Sequence, residues 1–470
     1  MGRKRKQKIL MNVQFTGIAD KGKVVGRDED GIVSFVEGPI PGDVADVLVF
    51  RKRKGVYQGQ TIAYHHFSED RVAPKCSHFA LCGGCKWQHM KYEAQLHHKQ
   101  VVVKNALQRI AKVDTSVMEP ILGCDEIFYY RNKLEFSFST KRWLTSAELN
   151  AQVTNKENVL GFHKAGAFDK LIDIQHCYLQ GGLSNELRNK IKEIALEQEL
   201  TFYDNRAHTG FLRQMVVRTS ELGETMLIMG FGYDEPKLRE KFLDAILSAF
   251  PSLTTLVYAI NTKLNDYLFD LEMVTYSGKG FVYEQLGPLK FKVGPKSFFQ
   301  TNARQGNELY KLAKEYAGLT GKENVYDLYT GTGSIALFVA DGAKQVVGIE
   351  EVEPAIVDAK ENAKANDIDN VIFYAGDVKD VLTDEFAKKH GKPDVLITDP
   401  PRAGMHPKVV AFLLKLKAPK IVYVSCNPAT QARDLALLSE AYELKRSRAV
   451  DMFPHTHHIE NVVLLELKGD

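Results

Sequence analysis

From about Gly287 to the end of the chain, short apolar runs alternate with segments of helical periodicity. The runs are 324-NVYDLY-329, 345-QVVGIE-350, 371-VIFYA-375, 394-DVLITD-399 and 420-KIVYVS-425, and 461-NVVLLEL-467 supplies a last one. Strand–helix alternation of this kind predicts a doubly wound, Rossmann-like α/β sheet whose ligands sit beyond the carboxyl ends of its strands. Residues 9–64 carry a different rhythm. There, 23-KVVGR-27, 31-GIVSFVEG-38 and 43-DVADVLVF-50 are short strands punctuated by turns such as the PGD at 41–43. Close spacing of short strands predicts a small β-barrel of the oligonucleotide-binding type. Between these regions lie a cysteine-rich stretch at 75–89, a helical pattern across 92–111, and mixed strand-like and helical segments from 127 to about 285. The expected organisation is therefore a barrel (1–64), a central α+β domain bearing the cysteines (65–286) and an α/β domain (287–470).

Composition narrows the class. With 44% hydrophobic and 26% charged residues over 470 positions, the chain has the make-up of a folded protein of several domains. No apolar run approaches the ~18 residues needed to cross a bilayer. The start, MGRKRKQKIL, is basic but lacks the apolar stretch of a secretory signal, so a cytoplasmic location and no membrane partner are expected. The net charge of +3 identifies no partner, but 3-RKRK-6 and 51-RKRK-54 place two basic clusters in the barrel region. Such runs are often plain solvated surface; two of them in one small domain favour contact with phosphates. Nothing points to an obligate protein partner.

The first α/β strand runs into 327-DLYTGTGSIA-336, where Gly331 and Gly333 let the backbone turn sharply and approach a ligand. The second ends at Glu350, about 20 residues further on, where a carboxylate reaches ribose hydroxyls. Both features fit a nicotinamide dinucleotide as well as S-adenosylmethionine. The fourth strand decides between them: it ends in 399-DPPRAG-404, an Asp-Pro-Pro element that dehydrogenases do not need and that methyltransferases acting on planar nitrogenous rings carry.

The fifth strand ends in 424-VSCNPAT-430, which puts Cys426 on the same rim as Asp399. A lone cysteine after a strand is more often a small buried hydrophobe. Here the chemistry supplies a use for it. Uracil C5 is a poor nucleophile, and addition of a thiolate to C6 turns the ring into an enolate with an electron-rich C5. After methylation a base must remove the C5 proton so that the thiolate can leave. In 451-DMFPHTHHIENV-462, Glu460 at the start of the last strand is the candidate; His455, His457 and His458 have no spacing that favours a metal.

With these elements placed, the chain resembles the RNA uracil-5-methyltransferase family, nearly end to end. It is most similar to the members acting on 23S ribosomal RNA that carry a TRAM-type barrel and an iron–sulfur cluster. The motifs that carry the resemblance are 297-SFFQTN-302, 327-DLYTGTG-333, 399-DPPRAG-404, 425-SCNP-428 and 451-DMFPHTHHIE-460. It implies a class I methyltransferase domain in which Gln300, Tyr329, Glu350, Asp377 and Asp399 contact S-adenosylmethionine. Cys426 would be the nucleophile and Glu460 the acceptor of the C5 proton. Two departures stand in the cofactor region: Thr330 where many relatives have Cys, and Ser334 where many have Asn. Transfer RNA is the alternative substrate within the family. A nicotinamide-dependent iron–sulfur oxidoreductase is the alternative of another class. Cytosine-5 methylation is disfavoured because the Pro-Cys motif that chemistry uses is absent.

Cys76, Cys82 and Cys85 form C-x5-C-x2-C, and Cys177 lies downstream in 173-DIQHCYL-179. Four thiolates suit either zinc or an iron–sulfur cluster, and the spacing alone leaves both open. The resemblance favours a [4Fe–4S] cluster on those four residues, with Cys124 as a spare. The spacing is not the C-x3-C-x2-C of radical S-adenosylmethionine enzymes, so a structural or RNA-positioning role is expected.

Overall fold

The computed structural model describes residues 8–53, 55–153 and 157–469. The chain divides into two compact units. One consists of residues 1–125, 426–436 and 446–461, the other of 126–425, 437–445 and 462–470.

In the first unit, strands β1 (Lys8–Ile18), β2 (Val24–Arg27), β3 (Val33–Glu37), β4 (Val44–Arg53) and β5 (Val56–His66) close into a barrel in the order β1-β2-β3-β5-β4. Every pairing is antiparallel except β3 with β5. Period-two alternation turns Leu10, Val13, Phe15, Val24, Val36, Ala45 and Val47 inward as one apolar core. Closure removes the sheet edges that a strand-rich segment of this size would otherwise expose. β4 and β5 end in a hairpin whose Arg51, Lys52 and Arg53 are exposed, as expected of a solvated basic cluster. Lys8 Nζ and Lys52 Nζ lie 4.4 and 4.9 Å from the centre of the Tyr57 ring. Arg3–Lys6 and Lys54, the remainder of the two clusters, lie outside the described residues.

Beyond the barrel, a helix runs from Tyr92 to Ala106 and buries Gln95, Lys99, Val103 and Ala106. Half of that buried stripe is polar, so apolar periodicity is weak. The helical expectation continued to 111, and the chain does continue to Ala111, but with the wider turn of a π-helix. Strand β6 (Met118–Leu122) pairs in parallel with the stretch 446–450, setting Ser447 opposite Met118 and Val450 opposite Leu122.

The second unit contains two larger sheets. Strands β7 (Lys133–Ser139), β8 (Val159–Lys164), β9 (Ala167–Asp173), β10 (Leu212–Thr219), β11 (Thr225–Phe231), β12 (Thr255–Ile260) and β13 (Val274–Gly278) order as β13-β12-β11-β10-β7-β8-β9. β11 is buried along its whole length, and helices Ser184–Glu197 and Pro236–Ala249 bury Leu187, Ile191, Phe242 and Leu243. A hairpin, β14 (Val282–Leu286) with β15 (Leu289–Val293), leads to the α/β part.

The strands of that part are β16 (Asn324–Leu328), β17 (Gln345–Glu350), β18 (Val371–Ala375), β19 (Val395–Thr398), β20 (Lys420–Ser425), β21 (Tyr442–Val450) and β22 (Glu460–Leu467), in the order β18-β17-β16-β19-β20-β22-β21, with residues 446–450 of β21 and 460–461 of β22 counted in the first unit. The five strands from β18 to β20 in that order pair in parallel. Chain order runs one way from β16 to β18 and the other way from β19 to β20, so the reversal falls between β16 and β19. An open α/β sheet binds its ligand at such a reversal, beyond the carboxyl ends of the strands. Six of these strands coincide with the apolar runs of the sequence. β21 does not: its buried positions Tyr442, Leu444, Ser447 and Ala449 skip a step at Arg446, which breaks the alternation a strand is recognised by.

Candidate active site

The cofactor-type residues all belong to the second unit. Tyr329 follows the end of β16 with φ of 65°, and Gly331 and Gly333 follow at 56° and 79°. The chain thus reverses tightly between β16 and the helix Ser334–Val339. A Cβ on Gly331 would meet nothing within 4 Å, whereas one on Gly333 would lie 2.9 Å from the Phe373 ring. Gly331 therefore leaves the backbone bare on the open side, and Gly333 lets the helix settle against β18. The Gly331 N–H donates to Glu350 Oε2 at 3.1 Å, and the Val352 N–H donates to Glu350 Oε1 at 3.0 Å. Glu350 at the end of β17 is held by two backbone donors across the glycine turn.

Asp399 extends β19 and its N–H donates to the Leu328 carbonyl of β16 at 3.3 Å. Burial raises its carboxyl to about 7. Asp327, inside β16, is fully buried and is likewise pushed up to about 7 by burial, with the neighbouring Asp399 adding to the effect. The Thr330 hydroxyl opposes this by donating to Asp327 Oδ2 at 2.5 Å. Two buried like charges at the ends of adjacent strands resist joint ionisation and favour a cationic neighbour. Asp327 was not singled out by sequence reasoning, although it opens the glycine motif; a carboxylate within a buried strand was the available signal.

Tyr310 was also missed. It is buried on the helix Ala303–Ala317, with its hydroxyl 3.1 Å from Ser334 Oγ. Burial and the charge of Asp399 push its phenol up, and hydrogen bonds with Ser334 and Gln300 work the other way. Gln300 is held from behind: its carbonyl accepts from Asn132 Nδ2 at 3.0 Å, and the Asn132 N–H donates to the Thr301 carbonyl at 2.8 Å. The two departures thus have partners, Thr330 on Asp327 and Ser334 on Tyr310. Asp377 caps the short helix Val378–Val381 and pairs with Lys379, whose ammonium holds its carboxyl below the ordinary range.

Cys426 and Glu460 belong to the first unit. Cys426 follows the last residue of β20, and Glu460 is the first residue of β22, its neighbour in the sheet. Cys426 is half-buried, and Glu460 is 7% exposed. The helix Pro428–Leu438 opens two residues after Cys426, and Asn427 ties its first turn by accepting the Ala429 N–H at 3.1 Å. Gln431 and Asn461 exchange hydrogen bonds, Gln431 Nε2 to the Asn461 carbonyl at 3.1 Å and Asn461 Nδ2 to Gln431 Oε1 at 2.8 Å. The helix behind Cys426 is thereby locked to the residue after Glu460.

Cys76, Cys82 and Cys85 lie in the first unit and Cys177 in the second. The Gly84 N–H approaches Cys82 Sγ at 3.4 Å, Gln88 Nε2 approaches Cys85 Sγ at 3.7 Å, and Gln88 Oε1 accepts the Cys76 N–H at 2.7 Å. Among the described residues no three His, Cys, Asp or Glu side chains are grouped so as to hold a metal ion. An iron–sulfur cluster on the expected cysteines is thus without support from these residues. No helix among the described residues is long and apolar enough to cross a membrane.

A family model described as tRNA (uracil-5-)-methyltransferase matches residues 266–468, and one described as TRAM domain matches residues 8–62. The chain is 50% identical over 455 residues to an uncharacterized RNA methyltransferase of Bacteroides thetaiotaomicron, covering 96% of this chain and 100% of that protein. It is 49% identical over 462 residues to one of Porphyromonas gingivalis, covering 96% and 99%. Among solved structures it is similar to the tRNA (uracil-54, C5)-methyltransferase of Pyrococcus abyssi in complex with S-adenosyl-L-homocysteine, with a TM-score of 0.75, 28% identity, and 97% and 100% of the two chains covered. Fold, rim and relatives together define an S-adenosylmethionine-dependent RNA methyltransferase. Within that class the chain belongs to the RNA uracil-5-methyltransferase family, with a TRAM domain as its barrel.

The buried carboxyl of Asp327 has a consequence for stability. Its folded-state value of about 7 exceeds the ordinary 3.8, so the folded protein binds the proton more tightly than the unfolded chain. Stability therefore falls as pH rises from 3.8 towards 7, and the loss is complete above that. Asp327→Asn, which keeps an acceptor for Thr330, should reduce this dependence in urea titrations of the ligand-free protein between those limits, leaving the share that Asp399 contributes. An unchanged pH profile would remove Asp327 as its source.

Proposed function

We propose that the protein converts uridine to 5-methyluridine in 23S ribosomal RNA, with Cys426 as nucleophile and Glu460 as general base. The observation that carries this reading is the placement of Cys426 and Glu460 at the ends of neighbouring strands, with Glu460 nearly buried. Cys426 as thiolate adds to uracil C6, and the ring electrons move onto O4. Bound S-adenosylmethionine supplies an electrophilic methyl group to C5. Glu460 then takes the C5 proton, the electron pair of that C–H bond restores the C5–C6 double bond, and Cys426 leaves as thiolate. The target base must leave its stack to reach Cys426.

Gln300, Tyr329, Glu350, Asp377 and Asp399 are assigned to holding the cofactor. Support comes from the bare backbone at Gly331 and from the buried carboxyls of Asp327 and Asp399, which suit a sulfonium charge. Glu350, fixed by two N–H donors, is suited to ribose hydroxyls.

For the RNA class, the exposed tip Arg51–Arg53, with Phe50 68% exposed beside it, supports a second contact made by the barrel itself. A grip at two places suits a folded ribosomal segment. Transfer RNA is the second reading, and a specific observation favours it. The Pyrococcus abyssi neighbour is named for transfer RNA, and a match covering 97% of this chain must include most of the barrel. A barrel by itself therefore does not separate the two substrate classes. The iron–sulfur reading of Cys76, Cys82, Cys85 and Cys177 rests on the resemblance alone, and no step is assigned to a cluster.

RNA carrying 5-fluorouridine at the target should trap the enzyme covalently, because fluorine does not leave as a proton does. Cys426→Ala should abolish the trapped complex and lower turnover on the order of 10³-fold or more, with S-adenosylmethionine binding retained. Glu460→Gln should let a methylated adduct accumulate on natural uridine. An adduct that persists in Cys426→Ala would refute the nucleophile.

Substrate choice is read by offering unmodified 23S ribosomal RNA and transfer RNA together. Methyl incorporation into the ribosomal RNA is expected, and incorporation into transfer RNA alone would overturn that choice.

Iron and sulfide analysis of protein purified without oxygen decides the cysteine question. A cluster gives both elements, lost in Cys177→Ser. Zinc without iron, or no metal, discards it.

A further inference from the structure

The helix Tyr92–Ala106 carries a lysine, Lys99, that is 1% exposed and ion-paired at 2.6 Å to Asp451, which is 0% exposed. Nothing in the reaction above uses either group. Two fully buried charges are costly to remove from water, and such a pair persists only where every remaining donor and acceptor is matched. Most of that condition is met here, with two acceptors facing the ammonium and each Asp451 oxygen receiving a further donor. Lys99 Nζ also donates to the Phe453 carbonyl at 3.1 Å. Asp451 Oδ1 accepts the Phe453 N–H at 3.0 Å, and Asp451 Oδ2 accepts the Tyr92 hydroxyl at 3.0 Å. Burial pulls the Lys99 ammonium below its ordinary value, and the Asp451 charge works against that shift.

One helical turn earlier, Gln95 repeats the arrangement on the next residues of the same segment. Its Oε1 accepts the His455 N–H at 2.8 Å, and its Nε2 donates to the Met90 and Trp87 carbonyls at 2.8 and 3.1 Å. The His455 carbonyl accepts the N–H groups of Lys86 and Trp87 at 2.9 and 3.0 Å. His455 is held at φ of 65°, a conformation that costs a non-glycine residue free energy and persists only where the surroundings fix it. Five residues later the chain reaches Glu460.

We infer that Lys99 and Gln95 are positioning residues for Glu460: they fix the segment 451–455 so that the Glu460 carboxylate is aimed at the C5 proton of the methylated adduct. This rests on the assignment of Glu460 as base. The device acts on one step only. Cys426 stands at the end of a different strand, so formation of the adduct and transfer of the methyl group do not depend on the aim of Glu460. Removal of the C5 proton does, together with the return of its electrons to the C5–C6 bond and the release of Cys426.

The test compares Lys99→Met, the paired variant Lys99→Met/Asp451→Asn, and Glu460→Gln, using full-length protein and natural-uridine RNA. Three quantities are followed: S-adenosylmethionine binding, methyl incorporation in a single turnover, and release of tritium from RNA labelled at uracil C5. The paired variant removes both charges at once and so leaves no uncompensated buried carboxylate if the single variant fails to fold. Expected in either lysine variant is cofactor binding and methyl incorporation near wild type. Tritium release should slow on the order of 10- to 100-fold, the scale of a small misplacement of a catalytic group, with a covalent methylated adduct visible on denaturing gels. Equal slowing of incorporation and release, or folded variants that release tritium at the wild-type rate, would overturn the proposal. If Glu460→Gln releases tritium normally while the lysine variants do not, Glu460 is not the base, and the clamp serves another group of the same segment.

Discussion

A parallel sheet leaves every strand's carboxyl end on one edge, and the reversal of strand order between β16 and β19 opens a crevice there. The chemistry of the second unit depends on that constraint. It brings Asp327 and Asp399 to adjacent strand ends, where burial keeps them from ionising together, and it sets Glu350 on the next strand across the glycine turn. Two carboxyls crowded in this way are poised for a cation. With a neutral or anionic ligand, protonation of one of them remains the favoured way to relieve the crowding.

The α/β sheet was legible because buried parallel strands read as continuous apolar runs, bounded by turns. The barrel was legible from alternation, as with Phe15, Val36 and Val47 turned inward. β21 was hidden because the pattern slips at Arg446, and the helix Tyr92–Ala106 carries Gln95 and Lys99 on its buried face, where periodicity expects aliphatic residues. Polar residues that are buried for a purpose look, in a sequence, like surface.

The site divides along the same line. Cys426, Asp399 and Glu350 could be named because each stands at or just past the end of an apolar run. Tyr310 and Asp327 lie within elements, so no boundary marks them; their role emerges from neighbours such as Ser334 and Thr330. These two hydroxyl residues depart from the family pattern, yet each keeps a hydrogen bond to a buried group. Small polar groups of different kinds can satisfy the same pocket.

Lys99 and Asp451 are separated by 352 positions along the chain. At ordinary translation speeds of about 5–20 residues per second, roughly 20–70 s pass between the synthesis of the two. Throughout that interval the helix carrying Lys99 lacks the partner that makes its burial tolerable, so the interior of the first unit closes only after residue 451 has been made. The barrel can form early from its own strands, but the segment bearing Glu460 is fixed last. The last turns of translation thus complete an interior whose first strands have long been made.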